Sequence, residues 1–153
     1  MLEVLWLFCL PILCLPILGQ PFPNLCSNER LLIVNRTKNE LSKVSEGVNL
    51  TLYTPTTTDM QSCGNASLKC FLDEVKVLYI ELDVGGESGK SLQDLIKKMK
   101  SSLSLLSNYP VPEASCELMS CELHPEMSAD SFLHNLGIFL KQMNSSYCRK
   151  RYA

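Results

Sequence analysis

The sequence predicts an all-α protein, an up-up-down-down four-helix bundle stapled by disulfides, and three observations support this prediction. Apolar residues recur at helical spacing in four separate segments of the 153-residue chain. The connections between these segments run long, short, long, which suits two parallel helix pairs with two crossover loops. An apolar leader precedes six of the eight cysteines, an even number that is typical of disulfides in a secreted protein.

The start of the chain is predicted to be a signal peptide, residues 1–19. It is almost wholly apolar, but Pro11 and Pro16 interrupt it and it is short for a membrane span. No basic stop-transfer cluster follows, so a signal peptide is favoured over a signal anchor. Cleavage there would leave one secreted helical domain over residues 20–153, with no insertion into a membrane.

The first two helices are predicted over residues 27–46 and 65–82. Ser27 can cap the first helix, Gly47 can stop it, and a polar gap at Thr37 interrupts its apolar face. The apolar positions of the first helix are Leu31, Val34, Leu41, Val44 and Val48. Those of the second helix alternate in steps of four and three and are Leu68, Leu72, Val75, Tyr79 and Leu82.

The third helix is predicted to open with Ser91, and Asp94 takes the third position of a capping box. Pro110 ends this helix, whose apolar positions are Leu92, Leu95, Met99, Leu103 and Leu106. The fourth helix starts near Ser128 and carries Phe132, Leu136, Phe139 and Met143. Gly137 interrupts it and weakens it by roughly 1 kcal/mol relative to alanine.

The lengths of the connections predict the topology. The first connection, residues 47–64, and the third, residues 107–127, are both long, whereas the middle one, residues 83–90, is short and rich in glycine. A helix of about 18 residues is roughly 27 Å long, and an extended linker covers about 3.3 Å per residue. Each long connection can therefore return along a helix, as two crossover loops require.

Six cysteines allow 15 disulfide pairings, and the predicted topology favours one of them. Cys63 and Cys70 would be about 10 Å apart along a helix, which is beyond the reach of a disulfide. The predicted bundle instead brings together cysteines that lie at the same level along its axis. The first helix begins at the end of the bundle where the fourth helix ends. The favoured pairs are Cys63–Cys116, Cys70–Cys121 and Cys26–Cys148.

Several classes of function are disfavoured. A formal net charge of −2 argues against a nucleic-acid binder, and no catalytic motif is present, so neither enzymatic activity nor a cofactor is expected. Cys116, Cys121 and His124 loosely resemble a zinc site, but an oxidising compartment favours disulfides over metal. Four N-glycosylation sequons agree with secretion, at Asn35, Asn49, Asn65 and Asn144.

Two carboxylates on the second helix form a candidate binding site. Glu74 and Glu81 are seven residues apart, so both lie on one predicted exposed face, about 10 Å apart along the axis. Nothing nearby supplies the apolar pocket that a glycosidase pair needs. Two interpretations stay open: a solvated edge, or an acidic docking stripe flanked by Val77 and Ile80 for a basic partner.

Two sets of residues resemble the interleukin-15 branch of the common-gamma-chain cytokines. The first is Thr51-Leu52-Tyr53-Thr54, then Ser62-Cys63, then Leu68-Lys69-Cys70-Phe71-Leu72. The second is Phe132-Leu133, an apolar helix, then Asn144-Ser145-Ser146. The resemblance implies a short-chain four-helix cytokine that bridges cell-surface receptors and triggers JAK-STAT-type signalling in immune cells.

The resemblance also implies roles for individual residues. Tyr53, Glu74 and Glu81 fall where the family contacts its private alpha receptor, which favours the acidic docking stripe. The implied partner is an interleukin-15 receptor alpha-like chain, held by charge-assisted pairing with its arginines.

Contacts to an interleukin-2 receptor beta-like chain and a common gamma-like chain are implied elsewhere. Asn35 stands where the family has an aspartate for the beta chain, and Asp94 aligns with a second beta contact. Lys141 stands where the family has a glutamine for the gamma chain. Gln142 comes one step later, about 100° around the helix.

The chain also departs from the family pattern. Cys116 and Cys121 are further apart than the family's usual pair, and Cys26 and Cys148 are additional. These differences suggest an interleukin-15-like paralogue. The main alternative is a saposin-like lipid-binding protein, which is also secreted, helical and six-cysteine, but which is much shorter and has its cysteines in close pairs near the termini.

Overall fold

A computed structural model describes residues 25–44, 49–82, 87–109, 111, 116 and 120–152. The predicted signal peptide and Gly47 lie outside the described residues. The helices and strands follow in chain order as α1 (Glu29–Val44), β1 (Thr51–Tyr53), α2 (Thr57–Ser62), α3 (Gly64–Glu81), α4 (Glu87–Leu106), β2 (Glu126–Ser128) and α5 (Ala129–Tyr152), with a 3-10 turn (Cys121–Leu123) before β2. The predicted four-helix bundle is confirmed, with α1, α3, α4 and α5 as its long helices.

A small sheet joins the two long connections. Helix α1 packs against α4 and α5, and α3 packs against α4. Strand β1, from the first connection, pairs antiparallel with β2, from the third, so that Thr51 faces Ser128 and Tyr53 faces Glu126. The sequence did not predict these strands, because three residues are too few to show a period of two. The sheet ties the two crossovers to each other.

Three phenylalanines form the centre of the core. Phe71 on α3 lies 5.5 Å from Phe132 and 5.4 Å from Phe139, measured between ring centroids. The side chains that complete this cluster come from all four long helices. Tilted ring pairs at this distance add about 0.5–1.5 kcal/mol to the gain from burial. The core therefore holds the helix that carries the predicted carboxylates in a fixed position.

The buried face of α3 differs from the predicted rhythm. Phe71 and Leu78 are fully buried, whereas the predicted Leu72 and Tyr79 are only half-buried. Residues three apart and residues four apart both lie on one face of a helix, so spacing alone does not decide which of two adjacent residues is buried. In this helix both residues of each such pair are apolar. Ile96 on α4 was missed for the same reason. Leu68, Val75 and Leu82 are buried as predicted, so the buried face of α3 differs only at these two steps.

The starts of α1 and α4 differ in how well they match the predicted caps. Helix α4 begins at Glu87, so Ser91 and Asp94 lie inside the helix and the predicted capping box is wrong. A serine followed by an acidic residue three positions later also occurs on exposed helix surfaces. At α1, the Ser27 hydroxyl accepts a hydrogen bond from the Glu29 amide at 3.2 Å, in agreement with the predicted cap.

Three disulfides between described residues close the bundle, and their pairing is the one that the topology favoured. The Cα–Cα distances are 5.0 Å for Cys26–Cys148, 4.9 Å for Cys63–Cys116 and 5.1 Å for Cys70–Cys121. All three lie within the range that a disulfide spans. Cys63–Cys116 joins the N-cap of α3 to the third connection, Cys70–Cys121 joins α3 itself to that connection, and Cys26–Cys148 joins the residues before α1 to α5.

Replacing Gly137 with alanine is expected to stabilise the protein. Gly137 lies inside α5, and an added Cβ would come 3.7 Å from Leu31 Cδ1 on α1, an ordinary van der Waals contact. Alanine should therefore raise the free energy of unfolding by about 1 kcal/mol through helix propensity alone. Urea unfolding followed by circular dichroism measures this change, and a lower midpoint for Gly137→Ala would contradict the expectation.

Candidate functional site

Glu74 is a buried carboxylate, not an exposed one. Only 9 % of its surface is accessible, and its Oε2 accepts a hydrogen bond from the Tyr53 amide at 2.9 Å. The prediction that Glu74 and Glu81 share an exposed face is therefore wrong for Glu74, because β1 covers that side of α3. Glu81, at the end of the helix, is exposed as predicted.

Neighbouring elements of the structure fix the surroundings of Glu74. Cys70 lies one turn earlier on α3, and its disulfide to Cys121 fixes the 3-10 turn that precedes β2. Strand β2 then places Glu126 opposite Tyr53 in the sheet. The structure thus brings Tyr53, Glu74 and Glu126 together. The sequence offered no signal for Glu126, because its position depends on pairing between strands 73 residues apart.

The charges at this site are unbalanced. Burial raises the pKa of Glu74 above its usual range; the hydrogen bond from Tyr53 opposes this, and the negative charges of Asp73 and Glu126 add to it. Asp73 forms an ion pair with Lys76 at 3.3 Å. Among the residues that the structure describes, no basic group forms an ion pair with Glu74, Glu81 or Glu126. The surplus negative charge suits a basic partner.

Exposed apolar side chains accompany these carboxylates. On α3, Val77 is 36 % exposed and Ile80 is 70 % exposed. We define the acidic face as Tyr53, Glu74, Val77, Glu81 and Glu126. An apolar centre with a polar rim is the usual anatomy of a protein–protein interface.

The other predicted contacts lie elsewhere. Asn35 on α1 and Asp94 on α4 are both exposed on neighbouring helices, and Asp94 also lines the cleft between these helices. Gln142 on α5 is half-buried and lines a small cavity of about 220 Å³ beside Met60, whereas Lys141 is exposed. None of these side chains belongs to the acidic face.

The predicted glycosylation sites differ in accessibility. Asn35, Asn49 and Asn65 are exposed. Asn144 is half-buried, and its Nδ2 donates a hydrogen bond to the Ser27 carbonyl at 2.9 Å. Their use as glycosylation sites stays a prediction.

A buried histidine links the two crossovers. His124 follows the 3-10 turn, is 4 % exposed, and its Nδ1 lies 3.1 Å from Asp59 Oδ2 on α2. Both Cys116 and Cys121 are in disulfides, so they are not ligands of a zinc ion. Within the described part of the chain, no group of three histidine, cysteine or acidic side chains could hold a metal.

Replacing Asp59 with asparagine is expected to weaken this link. It should also make the free energy of unfolding depend less on pH at acidic pH. Burial opposes ionisation of Asp59, but hydrogen bonds from Thr56 and the contact with His124 outweigh it and hold its pKa below the ordinary 3.8. The stabilisation is therefore present above 3.8 and lost as pH falls through the folded-state pKa. Asp59→Asn should lower the free energy of unfolding by about 1–3 kcal/mol at neutral pH.

Urea unfolding of both proteins between pH 2 and pH 7 measures this effect. The exposed Asp73→Asn is a matched control and should change stability by less than about 0.5 kcal/mol, since surface ion pairs contribute little. Equal losses in the two variants would contradict a special role for Asp59.

Comparison with known proteins agrees with the architecture. The family described as Interleukin 15 matches residues 23–144, which include all four long helices up to Asn144. A comparison with curated proteins finds no match. No helix in the described ranges is long and apolar enough to cross a membrane. The resemblance noted in the sequence is confirmed: the chain belongs to the interleukin 15 family, whose members are secreted, non-enzymatic cytokines with cytokine receptors as partners.

Proposed function

We propose that the protein is a secreted cytokine that uses the acidic face to bind an interleukin-15 receptor alpha-like chain. The observation that carries this proposal is the group of carboxylates around Tyr53, which have no ion-pair partner among the described residues. Arginine side chains on the receptor would supply the missing positive charge through charge-assisted hydrogen bonds. Complementary charge also accelerates association, because it steers the partners before contact.

The acidic face is preorganised for such a partner. Glu74 is held by the Tyr53 amide, Tyr53 is held in the sheet, and the sheet is fixed by the Cys70–Cys121 disulfide. Little conformational freedom therefore has to be lost on binding, which favours affinity.

The signalling chains would bind other surfaces. The proposed contacts of the interleukin-2 receptor beta-like chain are Asn35, which must then carry no glycan, and Asp94, on the adjacent helices α1 and α4. The proposed contact of the common gamma-like chain is Gln142 on α5. Because these surfaces are separate from the acidic face, one molecule could bridge three receptor chains and start JAK-STAT-type signalling in immune cells.

The saposin-like alternative is not favoured. The family match covers most of the chain and supports a cytokine. The large apolar side chains fill one continuous core.

Surface plasmon resonance on immobilised receptor ectodomains tests the proposal. The alpha-like chain should bind without the signalling chains, and its association rate should fall as salt rises. N-terminal sequencing of the secreted protein should begin at Gln20. Binding to lipid vesicles without binding to any receptor ectodomain would overturn the proposed function.

A further inference from the structure

A long open cleft runs between α1 and α4, on a different surface from the acidic face. It has two contiguous parts of about 980 and 920 Å³, which share Asp94 and Lys98. Residues from the start of α1 face the end of α4, and residues from the end of α1 face the start of α4, as antiparallel helices require. We call this cleft the basic groove.

Basic side chains dominate the lining of this groove. Six basic and three acidic side chains line its two parts, although acidic residues outnumber basic ones in the whole chain, 16 to 14. Lys43 forms an ion pair with Glu40 at 2.8 Å. Arg36, Lys90 and Lys98 are exposed and form no ion pair with any other residue in the described ranges.

The cations form two rows that face each other. Arg36 and Lys43 are about 10 Å apart along α1, and Lys90 and Lys98 are about 12 Å apart along α4. In the second part of the groove, Arg30 is 8 % exposed, and its buried Nη1 has no hydrogen-bond partner in the described structure. Its Nε donates a 3.4 Å hydrogen bond to the Ser102 carbonyl; burial lowers the pKa of Arg30, and the nearby charge of Glu29 opposes this. Basic side chains therefore line both walls of the groove and outnumber the acidic ones among them.

We propose that the basic groove binds a linear sulfated polysaccharide of the extracellular matrix or cell surface. Flexible lysine and arginine side chains in two rows can follow a chain of sulfate groups, and release of counterions from the polyanion drives such binding. The groove also contains Asp94, the proposed contact of the beta-like chain, so the polysaccharide and that chain would compete for this surface. No aromatic side chain lines either described part of the groove.

The probe for this proposal is a heparin octasaccharide, titrated at 0.15 M NaCl against the complete secreted protein. The test variant combines Arg36→Ser, Lys90→Ser and Lys98→Ser. We expect its dissociation constant to rise about tenfold or more, because three contacts to the polyanion are lost. The matched control combines Lys69→Ser, Lys100→Ser and Lys141→Ser, which remove the same charge outside the groove and should change the constant less than about twofold.

The proposal is overturned by any of four results: no binding by the unmodified protein, equal weakening in the two variants, loss of binding when Arg149, Lys150 and Arg151 are replaced by serine, or equally tight binding of polyglutamate. The third result would assign the site to the basic end of the chain, and the fourth to an acidic protein surface. The test variant should keep the helical circular dichroism spectrum and the urea unfolding midpoint of the unmodified protein, which shows that it is folded. The two proposals can thus fail independently.

Discussion

Replacing Glu74 with lysine is expected to abolish binding to the alpha-like receptor and also to destabilise the protein. The change removes the acceptor for the Tyr53 amide and places a cation in a site that is only 9 % exposed. The free energy of unfolding should fall by about 2–3 kcal/mol, the contribution of a buried hydrogen bond to a charged group. Affinity should fall about 100-fold or more. Urea unfolding and surface plasmon resonance measure the two effects.

The Glu74→Gln variant distinguishes the effect of the Glu74 charge on receptor binding from its effect on the stability of the fold. Glutamine keeps an acceptor for the Tyr53 amide but carries no charge. Because burial raises the pKa of Glu74, its titration favours folding below the ordinary 4.5, and this contribution is lost as pH rises through the folded-state pKa. Glu74→Gln should therefore be at least as stable as the unmodified protein at neutral pH, yet bind the receptor more weakly. Unchanged affinity would reject Glu74 as a receptor contact.

Glu81→Lys completes this series. Glu81 is exposed, so its reversal should leave stability within about 0.5 kcal/mol of the unmodified value. Any loss of affinity in this variant is then caused by a lost contact with the receptor and not by unfolding.

Removing the Cys70–Cys121 disulfide, with alanine at both positions, is expected to have the second large effect. The two cysteines are 51 residues apart, and closing a loop of that size stabilises by about 4 kcal/mol in the entropic model. The variant should also bind the alpha-like receptor more weakly, since the turn before β2 is no longer fixed to α3. Thermal unfolding and receptor binding below the unfolding transition measure the two losses.

The Cys26–Cys148 disulfide provides the control. Its removal with paired alanines should cost at least a similar free energy, because the sequence separation is 122 residues. This disulfide lies at the beginning of α1 and the end of α5, and no residue of the acidic face is attached to it. Receptor affinity should therefore stay unchanged while stability falls. Equal losses of affinity in the two variants would contradict a specific role for Cys70–Cys121.

The sequence was sufficient for the bundle and its cysteine pairs. Helical periodicity extends over 16 or more residues in each long helix, so the four segments could be recognised without tertiary information. Long and short connections then restrict the topology to a few choices, and a disulfide requires its cysteines at the same height. Helix ends are less constrained, which is why α4 begins four residues before the predicted Ser91.

The candidate site could be predicted only in part. Glu74 was identified from helical spacing and Tyr53 through resemblance, but the burial of Glu74 depends on a strand 21 residues earlier that covers this side of α3. Glu126 depends on pairing between the two crossovers, and each strand is only three residues long. Neither contact leaves a periodic signal in the sequence. Turning of the α3 face by one position, from Leu72 to Phe71, is equally invisible where both residues are apolar.

The covalent link between Cys26 and Cys148 has a mechanical consequence. It joins the start of α1 to the end of α5 with their Cα atoms 5.0 Å apart. A pulling force applied to the chain outside these two cysteines would pass through the sulfur bridge and leave the residues between them unloaded. In a single-molecule stretching experiment, the oxidised domain should therefore show no extension from the helical residues between Cys26 and Cys148 until a reductant opens the bridge.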